Sequence, residues 1–526
     1  MNSDLIPFTN IELAFIGVYL CSLIVIGWLG LRARRENSLR DFYLAGNGIG
    51  FVVLLLTLYA TQYSGNTLFG FSGKTYRVGY AWIVSVHFMT AIVVFYLLLA
   101  PQLYPLAKKH GFITPTDFLR HRFESPALSS LGTVVMVVAI SNFLLAQLMA
   151  MGNALEGLVG AEPTMTYNVG VIMLALIIVI YETLGGFRAV AWTDAIQGFV
   201  LFVGFFILIA MVFREFGSLE QATQILMQRE QLEGTASKLT AAGPSKTLAP
   251  TGNGLREWIS YIVLVGIGGA MYPQAIQRIY ASRTATSLRR SLIVMAFVPL
   301  TTALIAVLVG IIGLAHVPDL VHEFIDDTGV VQKIDRSDTI LTVVCRHIQE
   351  SSLFGRWLVV VLFAGILAAI MSTADSVLLS ISSMVTKDIY GQHLRPQATE
   401  TEMTRVGKAC SWVLIAVLAS LAIALRGTDL VKLLDRKFDL LIQLSPAFFL
   451  GLHWPRLRAT PALVGTIVGL AIALTLAAVD WGKVAGVHAG LYGLAVNVAI
   501  AVAGSTVFSD CARRTSRRAF VRSVGT

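Results

Sequence analysis

The sequence predicts an all-α polytopic membrane protein with about 13 transmembrane helices. Three observations predict it. Of 526 residues, 56% are apolar and 13% charged. An ordinary soluble domain runs roughly 45–50% apolar and about 25% charged. The mean hydropathy is +0.72. The apolar residues also fall in runs of about 20, long enough to cross roughly 30 Å of hydrocarbon as helices. Only a bilayer solvates this much apolar surface. The same figures exclude a disordered chain, a nucleic-acid binder and a soluble enzyme.

In order, the runs cover about 11–32, 50–73, 80–103, 129–158, 165–184, 189–213, 256–279, 291–317, 353–385, 405–426, 437–453, 461–479 and 487–507. The eleventh is short and follows a charged stretch, so twelve spans is the alternative. The net charge of +9 is read as topology rather than as a nucleic-acid signal. With the N-terminus outside, 24 of the 40 basic residues fall in inside loops or the C-terminal tail. Nine of the others lie in two long loops, 214–256 and 318–356, where the positive-inside rule is weak. An odd number of spans then places the basic C-terminus in the cytoplasm. Every Lys and Arg is expected in a loop or at a helix end. Met1 to Glu12 contains no basic residue, which makes a poor start for a cleavable signal peptide. Cys21, Cys345, Cys410 and Cys511 are scattered and imply neither a disulfide framework nor a zinc site.

Polar residues inside spans are functional candidates by default, because burying them in hydrocarbon is costly. The second span is interrupted by Thr61, Gln62, Tyr63, Ser64, Gly65, Asn66 and Thr67. A local unwinding there would free carbonyls to coordinate an ion; a tight helix contact through small polar residues is the alternative. The seventh span repeats the pattern with Gly266, Gly268, Gly269, Tyr272, Pro273, Gln274 and Gln277. An ordinary proline kink is the alternative here. These two spans lie five apart, so five-span units would run in opposite senses, the arrangement of inverted repeats around a midplane site.

The ninth span carries Ala369, Ser372, Thr373, Ser376, Ser380 and Ser383 on one helical face. Hydroxyl and carbonyl oxygens suit a small hard cation such as sodium. The serines would otherwise bond their own i−4 carbonyls. Asp375 at this depth requires a partner. Asp194 lies near the start of the sixth span, as a buried acid or an interfacial one facing the helix dipole. Glu156 and Glu182 are expected at the interface. Ser72-Gly73-Lys74-Thr75 resembles the end of a phosphate loop, but Leu68 stands where its first glycine is required. An ATP-driven pump is therefore not expected. His87 and Cys410 are isolated, so no enzyme chemistry is expected either.

With these residues in view, the sequence resembles the sodium:solute symporters, a family that includes proline, pantothenate, monocarboxylate, sialic-acid and sugar cotransporters. The resemblance runs over roughly 10–460. It rests on Asp41-Phe42-Tyr43-Leu44-Ala45-Gly46, on Ala60 to Gly65, on Gly185 to Asp194 with Gln197, on Tyr272-Pro273-Gln274 to Arg278, and on Ala368 to Ser376. It implies the leucine-transporter fold, a five-plus-five inverted repeat. The expected division is 1–49 (first span and cytoplasmic loop), 50–213 (first repeat), 214–255 (extracytoplasmic loop), 256–453 (second repeat) and 454–526 (two terminal spans and basic tail).

The resemblance also implies a sodium site built from carbonyls of Ala60, Tyr63 and Ala369 and hydroxyls of Ser372 and Thr373. It implies a second sodium site or exit path at Asp194, with Asp375 and Ser376. Solute would lie against Gln62, Ser64, Gly65, Asn66, Tyr272 and Gln274, with Gln147 and Gln443 as further additions. Proline-type members carry an acidic residue at the position of Gln62 and a basic one at Asn47, and the sugar-type acidic position is Asn66 here. Neither specificity carries over. The site is read as lacking a buried Arg or Lys, so a carboxylate would be held by helix ends and amides.

The expected function is sodium-coupled import of a small organic solute such as an amino acid, a monocarboxylate or a pantothenate-like metabolite. It would take place in the cell membrane, among lipids, with no organic cofactor and no nucleic-acid partner; a monomer would suffice. Proton coupling through Asp194 or Asp375 is one rival. A solute sensor without transport is another, although only 19 residues follow Val507.

Overall fold

The computed structural model of the chain describes residues 7–156, 163–236, 245–318, 320–325, 331–426, 430–479 and 481–524. Of 65, 66, 68, 156, 163, 233–236, 322–325, 331–334, 430–435 and 508–524 the backbone alone is described.

Among the described residues twenty α-helices follow one another. They are α1 (Asn10–Arg32), α2 (Leu39–Leu44), α3 (Phe51–Gln62), α4 (Gly65–Val78), α5 (Val84–His110), α6 (Thr116–Phe123) and α7 (Pro126–Glu156). Then come α8 (Pro163–Phe216), α9 (Leu219–Ala236), α10 (Asn253–Ala270), α11 (Pro273–Ala281), α12 (Ala285–Met295) and α13 (Thr302–His316). After a hairpin of β1 (Val321–Ile325) and β2 (Val331–Asp335) come α14 (Ile340–Ser351), α15 (Leu353–Met384), α16 (Glu400–Ala424), α17 (Leu430–Leu441), α18 (Ser445–His453) and α19 (Ala459–Ala478). A second, two-residue hairpin, β3 (Lys483–Val484) and β4 (Val487–His488), leads into α20 (Ala489–Val524). The hairpins correct the all-α expectation in two loops; the membrane part is helical.

Among the described residues, nine helical stretches are long and apolar enough to cross a membrane, and ten if one bent pair counts as a span. Thirteen separate helices are therefore not what length and composition select. The difference has physical causes. The expected spans 165–184 and 189–213 form one helical run, α8, turned at Gly186, whose φ of 59° lies in the region open to glycine. A straight helix of 54 residues would reach about 80 Å, far more than a bilayer. The interrupted second span splits into α3 and α4, and α3 is too short to count alone. The seventh span is the bent pair, α10 and α11, meeting at 50°.

The break between α3 and α4 follows from local chemistry. Tyr63 leaves the helix in an extended conformation. Ser64 then donates its N–H to Thr67 Oγ1, and its side chain caps the first turn of α4. Pro273 opens α11 at the first helical position, where its missing N–H costs nothing. The ninth span is α15, buried along nearly its whole length, so the other elements are arranged around it.

Close approach sets how tightly the surrounding helices pack. A Cβ at Gly27 of α1 would stand 2.7 Å from Tyr181 Cβ, and one at Gly30 would stand 3.1 Å from Ala189 Cβ. Small residues at such spacing let helix backbones meet in lipid, where no hydrophobic force drives helices together. Two motifs of the resemblance also meet here. Arg188 pairs with Asp41 at 2.8 Å and donates to the carbonyls of Ala33 and Ala45, while Gly186 packs against Phe42. We expect Gly27→Val to overpack the α1–α8 contact and cost about 1–3 kcal/mol. A lowered unfolding temperature in detergent checks this, with Gly17→Val, whose Cβ meets nothing within 4 Å, as the control.

Candidate functional site

Four helices bring polar side chains together at the centre. From α8 comes Asp194, 0% exposed, and from α11 comes Arg278, 1% exposed. They pair at 2.7 Å. The guanidinium also donates to Thr57 Oγ1 of α3 at 2.9 Å, to Ser376 Oγ of α15 at 2.6 Å and to its own helix at Gln274 O. Asp194 accepts further bonds from Thr57 and Ser372. Asp375 accepts from Tyr181 and Ser376. Each charge is thereby paired or hydrogen-bonded, as burial away from bulk solvent requires.

The structure overturns four readings of the sequence. Arg278, like every Lys and Arg, is expected in a loop or at a helix end, yet α11 starts again at Pro273 and its sixth residue is fully buried. Lys437, expected at the edge of a span, is 4% exposed. The site therefore holds two buried basic residues rather than none. Glu182, expected at the interface, is 0% exposed and accepts a bond from Ser411. The side chain of Glu156 lies outside those described.

Beside the centre lies a cavity of about 100 Å³. Thr61, Gln62, Ser64 and Thr67 line it from the α3–α4 break, Tyr272 from the α10–α11 bend, and Lys437 and Phe438 from α17. Phe143 of α7 stacks on Tyr272 with ring centroids 5.9 Å apart, and Lys437 Nζ stands 3.3 Å from the Phe143 centroid. The cavity shares Lys74, Trp82 and Tyr261 with a larger one of about 560 Å³, lined in part by residues 245–251. That segment is held by Glu230 of α9, whose carboxylate accepts from Lys246 N, Thr247 N and the Ser245 and Thr247 hydroxyls.

The structure thus brings Asp194, Ser372, Asp375 and Ser376 into one network, and Gln62, Ser64 and Tyr272 to one cavity. Ala60 and Tyr63 sit at the end of α3, where the turn of Ser64's N–H toward Thr67 takes it from the Ala60 carbonyl. Thr373 donates to Ala369 O at 3.1 Å, the i−4 bond that was the bland alternative for this face; Ser380 instead donates to Gln277. Gln274 and Gln147 are buried but do not line the cavity. Gln443 is not brought there either. Its amide donates to Asp439 O and Gly490 O and accepts from Asn497, tying α17 to the terminal helix α20. Of Gly65 and Asn66 only the backbone, in the first turn of α4, is described.

Sequence reasoning missed Thr57, Tyr181, Arg278 and Lys437. The signal for Arg278 was available: a helix restarted by a mid-membrane proline carries its next turn inside the protein.

The family model for the sodium:solute symporters matches residues 42–469. The chain belongs to that family. It is a family of sodium-coupled transporters of small organic solutes rather than of enzymes. Among curated relatives, an osmoregulated proline transporter of Bacillus subtilis is 27% identical over 90% of this chain and 90% of its own. A sodium/pantothenate symporter of Escherichia coli is 26% identical over 87% and 89%. Among solved structures, a substrate-bound, outward-open sodium-coupled sialic acid symporter superposes with a TM-score of 0.75 at 19% identity, covering 95% of this chain and 98% of that one. At that identity the likeness establishes a shared fold.

Removing either partner of the central ion pair leaves a buried charge uncompensated. We expect Arg278→Ala and Asp194→Ala each to cost about 3–5 kcal/mol, and Asp194→Asn/Arg278→Gln together to cost less than the sum. Unfolding of the detergent-purified variants measures both.

Proposed function

We propose that this symporter imports a small organic solute by alternating access, with sodium binding between α3 and α15. The observation that carries the proposal is the α3–α4 break. It lies against the hydroxyl face of α15 on one side and lines the cavity on the other. The sodium ligands are the carbonyls of Ala60, Tyr63 and Ala369 and the hydroxyls of Ser372 and Thr373. These neutral oxygens suit a small hard cation. A hydroxyl that donates to Asp194 or to Ala369 O keeps a lone pair for an ion. Asp194, Asp375 and Ser376 supply a second sodium position or its exit path.

Solute lies against Gln62, Ser64 and Tyr272, with the first turn of α4 at Gly65 and Asn66. Gln274, buried on α11 two residues after Tyr272, is kept as a further solute candidate. Gln147 is buried on α7, the helix that also presents Phe143 to the cavity. Gln443, committed to α20, is left out.

Thirteen crossings follow if α8 counts twice and the interrupted helices and α17–α18 count once each. Residues 50–213 and 256–453 then form the inverted five-span repeats. The N-terminus lies outside and the C-terminus in the cytoplasm. The larger cavity opens on the expected outer side, which supports an outward-facing conformation. Sodium binding favours the state that completes the solute site, and coupling is that difference in affinity between states.

Ser372→Ala and Thr373→Ala are expected to raise the sodium concentration for half-maximal uptake in proteoliposomes, with expression unchanged. Unaltered sodium dependence in both would remove the assigned site.

A further inference from the structure

The family resemblance implies a second sodium position at Asp194, Asp375 and Ser376, yet a cation of the protein's own stands there. Arg278 Nη2 lies 2.7 Å from Asp194 Oδ2 and 2.6 Å from Ser376 Oγ, so it bridges two of the three side chains offered to that ion. Nε donates to Thr57 Oγ1 at 2.9 Å, and Thr57 donates in turn to Asp194, which closes a ring around the carboxylate. Nη1 donates to Gln274 O and ties the guanidinium to its own helix, α11. The third side chain, Asp375, is held by neutral donors, Tyr181 and Ser376. A serine has one proton to give and two lone pairs. Ser376 gives its proton to Asp375 and takes the Arg278 bond on a lone pair.

Ser372 and Thr373 are placed differently. Their hydroxyls donate to Asp194 and to Ala369 O, and among the described residues no Lys or Arg donates to either. The oxygens assigned to the first sodium are thus clear of the guanidinium, while those assigned to a second one are bridged by it.

We infer that Arg278 takes the place of a second sodium, so that Asp194, Asp375 and Ser376 line an exit path and one sodium accompanies each solute. The inference rests on the proposed sodium site between α3 and α15. A sodium bridging Asp194 and Ser376 would stand within a few ångströms of the guanidinium. In an interior that screens charge poorly, that repulsion opposes its entry. The same two oxygens would also have to release Nη2, which the bonds to Thr57 and Gln274 hold in place. Being covalently part of α11, this cation needs no capture from solution and stays when the first sodium leaves. Arg278 is also a positioning residue for that first ion. It fixes Asp194, the acceptor toward which Ser372 turns its proton, and so leaves a Ser372 lone pair for sodium.

The test counts ions on the full-length purified protein, by equilibrium binding of radiolabelled sodium with choline holding the ionic strength constant. The unaltered chain is expected to bind one sodium. Arg278→Ala empties the position between Asp194 and Ser376, so the count should rise from one to two. The same variant, destabilised by loss of the ion pair, should regain thermal stability with sodium but not with potassium, and by more than the unaltered protein gains. A role in packing alone would produce neither effect. Arg278→Gln/Asp194→Asn, which removes both charges, should stay at one. Two sodium ions on the unaltered chain overturn this inference and leave the symporter reading standing. So does an Arg278→Ala protein that folds and still binds one. Absence of sodium binding to the unaltered protein overturns the symporter reading itself. If Arg278→Ala does not fold, the count on the unaltered protein decides.

Discussion

Arg278 and Asp194 meet where four helices converge, both fully buried. Neither group is tolerable there alone, since an isolated ion in a low-dielectric interior costs several kcal/mol even after relaxation. Their pairing at 2.7 Å, together with Thr57, Ser372, Ser376 and the Gln274 carbonyl, makes the burial possible. Because the partners come from α3, α8, α11 and α15, the pair also fixes how these helices sit against one another. A shift of any one helix would strand a charge. That constraint explains why hydroxyls crowd this level of α15. They complete the hydrogen bonding of two buried charges, and Ser376 reaches across to Thr61 at the end of α3.

The broken helices follow from the same economy. A membrane helix satisfies its backbone internally and has nothing left to offer a ligand. At Tyr63–Ser64 and at Met271–Tyr272 the helical pattern lapses, and the polar groups released point into protein rather than lipid. The capping of α4 by Ser64 and the proline start of α11 make each lapse locally stable. Both breaks also border the cavity. On the proposed reading, an ion at the α3 break and a solute on its far side would share one short stretch of backbone, a direct physical route for coupling them.

Much of this was legible in the sequence. The polar interruption at 61–67, the glycines and proline at 266–273 and the hydroxyl face of α15 all fell where the structure has breaks or a packed polar seam. Periodicity and helix-breaker chemistry are local, and local rules read them. The depth of a charged residue is not local. Arg278 and Lys437 looked like span-end residues because a linear hydropathy reading ends a helix at its first charge. Arg278 is held inside by Asp194, 84 residues away in the chain, and Lys437 by aromatic faces from α7 and the α10–α11 bend. The same blindness left Glu182 at the interface, and it could not show that Gln443 bonds Asp439 of α17 and Gly490 and Asn497 of α20 rather than lining the cavity. Pairings of this kind are decided by the tertiary arrangement.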